Sequence, residues 1–328
     1  MKFLGKSDIR QLISMKESIQ IIREVFSEIG KNHVILPERT VIDLNNGNDS
    51  VLFMPAYLPK EGDLGIKIVT VFPSNISRNM PTISAVILLV DQKNGQVISA
   101  MEGGYITALR TGAVSGVATD LLARQDAQNL GIFGAGVQAR SQIEAMLEVR
   151  EIKHVVIYDI TKEFAIKLAD DMNEYYGDNC YFQPVETTEE AVVNSDIIVT
   201  ATTSKSPVFD GSLVKKGTHI NSIGSFKPQN REVDDLVIQK AKIFVDSYDC
   251  SLKEAGDLII PLEKGIISRG NIKADLGELV LGKKKGREND QEITFFKSVG
   301  MAVQDIAVAR TIDEKARKKN MGIDINNL

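Results

Sequence analysis

The spacing of hydrophobic residues changes several times along the chain. Residues 8–29 carry apolar side chains three and four positions apart, which is typical of an amphipathic helix. Ser7 is its expected N-cap and Gly30 its expected stop. From residue 34 to 100, short apolar runs are separated by Asn, Gly, Asp and Pro clusters, which predicts an antiparallel, hairpin-rich sheet. Its strands are expected at 39–44, 51–57, 64–72, 83–91 and 96–101, with turns at 45–49 and 91–96.

Helical spacing returns at residues 106–123, which are rich in Ala and Gly. Residues 129–246 then alternate short apolar runs with helical segments, and this alternation predicts a parallel, doubly wound sheet. The predicted strands are 129–133, 154–158, 181–183, 196–201, 218–223 and 242–246, and the predicted helices are 137–149, 162–175, 187–193 and 231–240. Residues 251–290 are loop-rich, and residues 293–319 have the pattern of a long final helix.

One stretch joins a predicted strand, a tight turn and a helix. Residues 128–140 read Q-N-L-G-I-F-G-A-G-V-Q-A-R. Gly134 permits a sharp turn, Gly136 permits close approach of a pyrophosphate, and Ala139 permits close packing of helix on strand. Asp159 lies 20 residues beyond Ala139, where a dinucleotide-binding unit places the carboxylate that holds the adenosine ribose. We therefore interpret the stretch as a dinucleotide site, the alternative being a packing turn of an α/β sheet.

Further candidate cofactor residues lie at the predicted carboxyl ends of strands, where ligands bind in such sheets, and two more, Lys297 and Gly300, lie near the start of the predicted final helix. Together with the glycines, they are Gly134, Ala135, Gly136, Val137, Gln138, Asp159, Thr202, Thr203, Ser222, Gly224, Lys297 and Gly300. Asp159 favours NAD over NADP, because a carboxylate repels a 2′-phosphate. The nearby Lys162 could weaken that preference, so NADP use stays open.

The length of 328 residues predicts two domains, since a single hydrophobic core rarely grows so large. The predicted fold class is α/β, with a Rossmann-type doubly wound parallel sheet and a second, α+β domain. We place the α+β domain at residues 1–120 and the Rossmann domain at residues 121–304. The final helix is expected to cross back, so that about residues 305–328 complete the first domain.

Composition narrows the classes of function. The net charge of −5 argues against a nucleic-acid binder, and the basic clusters at 283–287 and 317–319 are interpreted as a solvated loop and tail. No apolar run approaches the ~20 residues of a membrane helix, and no secretory signal is recognisable. Two cysteines without metal-like spacing favour a cytoplasmic protein. Three scattered histidines support neither a metal site nor a catalytic triad.

Three cations in the first predicted domain stand among apolar or small residues. Lys67 lies inside the predicted strand G-I-K-I-V-T-V-F, Arg39 begins a strand, and Arg110 lies in the Ala/Gly-rich helix. A buried lysine needs an anion or a polar pocket, and the alternative for Lys67 is an exposed strand face. Directed at one pocket, the three would clamp a carboxylate. Lys67 is also the best candidate for proton transfer, because the pKa of a lysine falls readily on burial.

These residues stand in stretches that match the motifs of a known family. The stretches are P-E-R-T (37–40), G-I-K-I-V (65–69), I-T-A-L-R-T-G-A (106–113), G-I-F-G-A-G-V-Q-A (131–139), I-G-S-F-K-P-Q-N-R-E-V-D (223–234), the region 254–287, and F-K-S-V-G-M-A-V-Q-D-I-A-V-A (296–309). Because they cover almost the whole chain in order, the sequence resembles the ornithine cyclodeaminase/mu-crystallin family.

The resemblance implies a homodimer with a discontinuous substrate-binding and dimerisation domain and an NAD-binding Rossmann domain. It also implies that Arg39, Lys67 and Arg110 bind the substrate carboxylate or lie beside the reacting carbon, with Lys67 and Arg110 as the catalytic residues. Family members include ornithine cyclodeaminases, alanine dehydrogenases, reductases of cyclic ketimines and a thyroid-hormone-binding lens crystallin.

One departure from the family pattern guides the choice among these activities. Ornithine cyclodeaminases resemble G-G-D-C-P-G-K after the fifth strand, and their aspartate handles the substrate's side-chain amine. Here residues 224–228 read G-S-F-K-P, so Phe226 replaces the aspartate. We therefore expect an NAD(P)-dependent oxidoreductase acting on the C–N bond of a small amino or imino acid, of the alanine dehydrogenase or pyrroline-2-carboxylate reductase type. The alternatives are an ornithine cyclodeaminase and a non-catalytic binding protein.

Overall fold

The computed structural model describes residues 1–45, 48–78 and 80–325, with Ile76 by its backbone alone. The described chain forms two compact units. Unit 1 consists of Met1–Arg110 and Gly300–Leu328, and unit 2 is the contiguous segment Thr111–Val299. These boundaries differ from the predicted ones at 120 and 305, which fall inside helices. Residues 46 and 47 of the predicted turn at 45–49, and residues 326–328 of the predicted first domain, lie outside the described residues.

The strands, numbered in chain order, are β1 (Lys2–Leu4), β2 (Thr40–Leu44), β3 (Asp49–Leu58), β4 (Asp63–Val71), β5 (Ile83–Asp91), β6 (Val97–Glu102), β7 (Asn129–Phe133), β8 (His154–Tyr158), β9 (Tyr181–Pro184), β10 (Ile197–Thr200), β11 (His219–Ser222), β12 (Ala241–Val245), β13 (Ile272–Asp275), β14 (Ile293–Lys297) and β15 (Ile323–Asp324).

The helices are α1 (Lys6–Leu12), α2 (Met15–Gly30), α3 (Gly103–Leu122), α4 (Val137–Val149), α5 (Lys162–Tyr176), α6 (Thr188–Val193), α7 (Asp235–Lys240), α8 (Tyr248–Glu254), α9 (Gly256–Glu263), α10 (Leu276–Val280) and α11 (Ala302–Lys318). Short 3-10 turns lie at Pro73–Arg78, Gly211–Leu213 and Arg269–Asn271. None of the helices within the described ranges combines the length and the apolar character needed to cross a bilayer.

Unit 1 is built on a sheet that, in the described residues, has the strand order β15-β1-β6-β5-β4-β3-β2. Neighbouring strands are antiparallel except for the parallel pair β1 and β6. Helix α11 packs on β3, β4 and β5 and also contacts α2. Gly65 on β4 permits this packing, because a Cβ there would lie 2.8 Å from the Ile306 side chain and 2.4 Å from the Leu88 carbonyl oxygen.

Unit 2 contains a parallel sheet with the described strand order β13-β12-β14-β11-β10-β7-β8-β9. Its central strands β10, β11 and β14 are fully buried, as expected for strands covered on both faces. The strand order reverses between β7 and β10, which is where doubly wound sheets open a crevice for a dinucleotide. The predicted fold class is confirmed, and the crevice lies at the carboxyl ends of these strands.

Several predictions of individual elements were wrong, each for a local reason. The helix predicted at 8–29 is two helices, α1 and α2. Ser14 is the N-cap of α2, and its hydroxyl accepts a hydrogen bond from the amide of Glu17 at 3.2 Å. Ser7 therefore lies inside α1, behind the N-cap Gly5. The start of the predicted final helix is strand β14 instead, because an apolar run such as Phe295–Phe296 fits a buried strand equally well.

The basic cluster at 283–287 is more than a solvated loop. The Arg287 guanidinium donates hydrogen bonds to the carbonyls of Leu122, Gly217 and Glu292. It therefore ties the end of α3 to two loops of unit 2, and the cation has a structural role.

Candidate active site

Lys67 lies at the centre of β4 in unit 1, paired across the sheet with Met54 and Ile87. Its side chain is 2% exposed, so the exposed-face interpretation is wrong. Strand alternation places it on the same face as Gly65, the face that helix α11 covers. A fully buried ammonium group needs a compensating anion, and the helix supplies one.

Asp305, in the first turn of α11, is the counter-ion. Its Oδ2 accepts a hydrogen bond from Lys67 Nζ at 2.6 Å, and its Oδ1 accepts one from Arg110 Nε at 3.1 Å. Arg110 also donates through Nη1 to Gln304 Oε1 at 2.8 Å, and the Thr107 hydroxyl lies 3.3 Å from Asp305 Oδ1. Asp305 is fully buried, and the N-terminal end of a helix favours its negative charge. Two cations from different elements therefore share one carboxylate.

The surroundings of this cluster shift two pKa values. Burial, opposed by Asp305 and aided by the charges of Arg110 and Arg39, lowers the pKa of Lys67 to about 8. Burial would raise the pKa of Asp305, but Arg110 and Lys67 outweigh it and hold that pKa below its ordinary value. Asp305 therefore remains a carboxylate near neutral pH, whereas Lys67 can gain or lose a proton within the physiological range.

Arg39 and Gly300 complete the cluster. Arg39 Nη2 donates to the Gly300 carbonyl at 3.1 Å. Gly300 adopts a φ of +79°, and a Cβ at this position would lie 2.5 Å from Arg110 Nη1. The structure thus places Gly300, a predicted cofactor residue, against the two arginines of unit 1. Three cationic side chains face the single negative charge of Asp305, an arrangement suited to one further carboxylate.

The glycine-rich turn of unit 2 joins β7 to α4. Gly134 has a φ of +93°, and a Cβ there would lie 2.7 Å from the carbonyl oxygen of Ala201. At Gly136, the N-cap of α4, a Cβ would meet nothing within 4 Å, so the backbone amides at the helix start are accessible. Val137 is 79% exposed, and Gln138 Oε1 is buried without a hydrogen-bond partner in the described structure. The accessible backbone amides of an open helix N-terminus fit a pyrophosphate.

Asp159 follows β8 directly and touches the glycine-rich turn. Its Oδ2 accepts the Ala135 amide at 2.7 Å, and its Oδ1 accepts the Thr161 amide at 2.8 Å. Each carboxylate oxygen keeps a further lone pair, so Asp159 can still accept from a ribose hydroxyl. Lys162, which could have favoured NADP, forms an ion pair with Glu186.

The other predicted cofactor residues of unit 2 lie at the neighbouring strand ends. Thr202 and the exposed Thr203 follow β10, Ser222 ends β11, and Lys297 ends β14. Lys297 is fully buried and forms an ion pair with Asp257 at 2.8 Å. Gly224 lies against the loop of Thr202, since a Cβ there would be 2.2 Å from the Thr202 carbonyl oxygen.

Three buried acidic residues, Asp305, Glu232 and Asp257, are not among the residues predicted from the sequence. Asp305 was visible as a lone carboxylate in the apolar run G-M-A-V-Q-D-I-A-V-A, and such a residue needs a buried partner. Glu232 and Asp257, which organise the loops of unit 2, lie in polar stretches that give no such signal.

One of the three histidines, His219, is held inside unit 2. His219 is fully buried, its ring nitrogens meet Thr294 Oγ1 and Asn221 Oδ1, and burial lowers its pKa to about 3. It is therefore neutral and structural. Within residues 1–45, 48–78 and 80–325, no group of three His, Cys, Asp or Glu residues is placed to hold a metal ion.

Comparison with known proteins shows the family of the chain. The model of the ornithine cyclodeaminase/mu-crystallin family matches residues 1–320. The chain belongs to this family. It is 39% identical over 323 residues to the Δ1-pyrroline-2-carboxylate reductase of Bacillus cereus, a match that covers 98% of each chain.

Two solved structures of the family are also similar. One is Δ1-pyrroline-2-carboxylate reductase of Thermococcus litoralis in complex with NADH and L-proline, with 44% identity and a TM-score of 0.96 over 99% of this chain and 100% of that chain. The other is an archaeal alanine dehydrogenase dimer with bound NAD, with 33% identity and a TM-score of 0.93 over 100% of this chain and 99% of that chain.

Replacing Asp305 by Asn should remove the counter-ion that Lys67 and Arg110 share. Because breaking a buried ion pair typically costs about 3–5 kcal/mol, we expect a loss of that order in the free energy of unfolding at pH 7, measured by urea denaturation. The control is Asp313→Asn, which changes an equally buried carboxylate of α11 whose partners are the Ser99 hydroxyl and two partly exposed arginines, Arg310 and Arg317. Equal losses in the two variants would contradict a special role for the Asp305 cluster.

Proposed function

We propose that this protein is an NAD-dependent oxidoreductase that acts on the C–N bond of a small amino or imino acid. The leading reaction is reduction of a cyclic ketimine of the Δ1-pyrroline-2-carboxylate type to the corresponding amino acid, with alanine dehydrogenation as the nearest alternative. The observation that carries the proposal is the buried cluster of Lys67, Arg110 and Asp305 beside Arg39. Similarity to the reductase that binds NADH and L-proline supports it.

The substrate carboxylate would be held by Arg39 and Arg110, because a guanidinium group offers two parallel N–H donors to a carboxylate. Arg110 is held in position by Asp305 and Gln304. Lys67 adds a third positive charge at 2% exposure, where electrostatic attraction is weakly screened. A substrate without an α-carboxylate would leave these cations uncompensated and should bind poorly.

Lys67 would also manage the proton of the reaction. Reduction of an imine adds a hydride to the α-carbon and requires a proton on the nitrogen. Bound NADH supplies the hydride. With a pKa of about 8, the Lys67 ammonium is acidic enough to donate a proton near neutral pH, and the neutral amine can accept one when the amino acid is oxidised. Asp305 holds the ammonium group in place through both steps.

The cofactor would be held by unit 2. Gly134, Gly136 and the start of α4 suit the pyrophosphate, and Asp159 suits the adenosine ribose. Lys162 is paired with Glu186, and the Asp159 carboxylate at the proposed ribose position disfavours a 2′-phosphate. NAD is therefore the proposed cofactor, in agreement with the NADH and NAD found in the two similar structures.

We propose a separate role for each of the two units. Unit 1 would bind the substrate and form a homodimer, and unit 2 would bind NAD. The sheet face opposite α11 carries half-buried apolar side chains from three adjacent strands, namely Val51, Phe53, Ile66, Ile68, Val86 and Leu88. An apolar sheet face of this kind suits a second copy of the chain, and the similar alanine dehydrogenase is a dimer. Cys180 and Cys250 are both thiols, which suits a cytoplasmic location.

The reaction is tested by following NADH oxidation with Δ1-pyrroline-2-carboxylate, Δ1-piperideine-2-carboxylate, and pyruvate plus ammonia. We expect the cyclic ketimines to be reduced at the highest kcat/KM, and replacement of Lys67 by Met to lower kcat by about 10²-fold or more, as expected for loss of a general acid. Absence of turnover with all three would refute the proposal. Formation of proline and ammonia from ornithine, without net NADH, would instead reveal a cyclodeaminase in which Phe226 is no obstacle.

The pH dependence should carry the signature of Lys67. Because its pKa lies at about 8, the acid form is present below that pH and is lost above it. We expect kcat/KM for ketimine reduction to fall tenfold per pH unit above about 8, and kcat/KM for amino-acid oxidation to rise up to that pH. In Lys67→Arg the side chain stays charged, so the decline near pH 8 should disappear from the residual activity. A wild-type profile that is flat through pH 8–9 would exclude Lys67 as the acid.

The homodimer is tested by light scattering, which should give twice the chain mass of 36.1 kDa. Leu88→Glu places a charge on the apolar sheet face of unit 1 and should shift the protein towards monomer. Phe164→Glu, which changes an apolar side chain of α5 that is 57% exposed in unit 2, is the control and should leave the mass unchanged. A dimer that survives Leu88→Glu would place the interface elsewhere.

A further inference from the structure

Glu232 is a buried carboxylate in unit 2 to which the proposed chemistry gives no role. It is fully buried in the segment between β11 and α7. Its Oε1 accepts hydrogen bonds from the Thr202 amide at 2.7 Å and from the Thr202 hydroxyl at 2.8 Å. Its Oε2 accepts the amides of Gly224 at 2.7 Å and Ser225 at 3.2 Å, with the Ser222 hydroxyl at 3.4 Å. One side chain therefore holds the loop after β10 and the loop after β11 together.

A second buried acid fixes the backbone of Glu232 itself. Asp257 Oδ1 accepts the amides of Glu232 at 2.6 Å and Val233 at 3.1 Å. The other oxygen, Oδ2, forms the ion pair with Lys297 and contacts the Ser222 hydroxyl at 3.2 Å. Lys297 at the end of β14 is thereby linked through Asp257 to Glu232, and all three ionisable side chains are fully buried. The position of the Glu232 carboxylate is thus fixed both by the donors that meet its two oxygens and by the hydrogen bond from its backbone amide to Asp257.

The two loops that Glu232 holds follow the carboxyl ends of β10 and β11. Thr200, Ser222 and Lys297 lie in register at the carboxyl ends of β10, β11 and β14. In a doubly wound sheet, the first half binds the adenosine part of a dinucleotide, and the second half, which begins at β10, binds the remaining mononucleotide. Asp159 and the glycine-rich turn belong to the first half, and Glu232 contacts only the second.

We propose that Glu232 is a positioning residue that shapes the nicotinamide half of the dinucleotide site by holding the loops after β10 and β11. This rests on the proposed NAD-binding function of unit 2. The carboxylate is required because donors from both loops point at its two oxygens. A glutamine in its place would turn an NH₂ group towards the amide of Thr202 or towards those of Gly224 and Ser225, so that one loop must move. The adenosine half, which shares no contact with Glu232, should be unaffected.

The test compares two ligands in wild type and Glu232→Gln. NADH binding, followed by its fluorescence, uses both halves of the site, whereas ADP, followed by calorimetry, lacks both the nicotinamide and its ribose and therefore reports on the adenosine half. We expect the Kd for NADH to rise at least about tenfold in the variant, as when charged hydrogen bonds are lost, and the Kd for ADP to change less than about twofold. Equal changes for the two ligands, or none for NADH, would overturn the proposal.

Two further variants separate positioning from general loss of stability. Asp196→Asn alters another buried carboxylate of unit 2, which accepts the amides of Gln128 and Asn129 at the opposite end of the sheet. It should lower the melting temperature without changing the ratio of the two Kd values. If Glu232→Gln does not fold, Glu232→Asp, which keeps the charge but is too short to reach both loops, should still raise that ratio. A wild type that binds ADP but not NADH would refute the proposed function itself, independently of the variants.

Discussion

The sharing of Asp305 by Lys67 and Arg110 is the interaction on which unit 1 depends. It joins β4, α3 and α11, elements that are far apart in the sequence, at a point where water is excluded. Burying charges is costly, and the cost is offset only when each charge has a partner of good geometry. The same cluster is incompletely neutralised, since Arg39 adds a third cation. The interaction that closes the fold is therefore also the one that makes the site attractive to a carboxylate.

Much of this could be predicted from the sequence because the relevant signals are local. The hairpins of unit 1 follow from alternating apolar runs and turn residues. The turn between β7 and α4 follows from its glycines: there is no room for a Cβ at Gly134, and the space beside Gly136 is open for a ligand. Lys67 could be recognised as a candidate because a lysine buried in an apolar strand needs an anion or a polar pocket. The family could be recognised because the motifs run through almost the whole chain.

What could not be predicted depends on contacts between distant residues. The apolar neighbours of Asp305 indicate that it needs a buried partner, but they do not indicate that the partners are Lys67 and Arg110, which contact it only when α11 lies on β4. Strand β14 was predicted as helix because a short run of apolar residues has no decisive period, and its place between β12 and β11 decides the matter. Glu232 stands in a loop rich in polar residues, so its local sequence does not distinguish it from an exposed acid. Its five donors come from residues 222 to 225 and from Thr202, which only the folded sheet brings together.

The division of the chain has a consequence for the order in which the protein can form during synthesis. Unit 2 is one contiguous segment, Thr111–Val299, so it can fold as soon as that segment has left the ribosome. Unit 1 cannot, because β15 and α11 come from Gly300–Leu328. Until that last segment emerges, Lys67 and Arg110 have no Asp305 beside them, and their burial is strongly disfavoured. Unit 1 is thus begun before unit 2 but completed after it, and the cationic site arises only once α11 has been made.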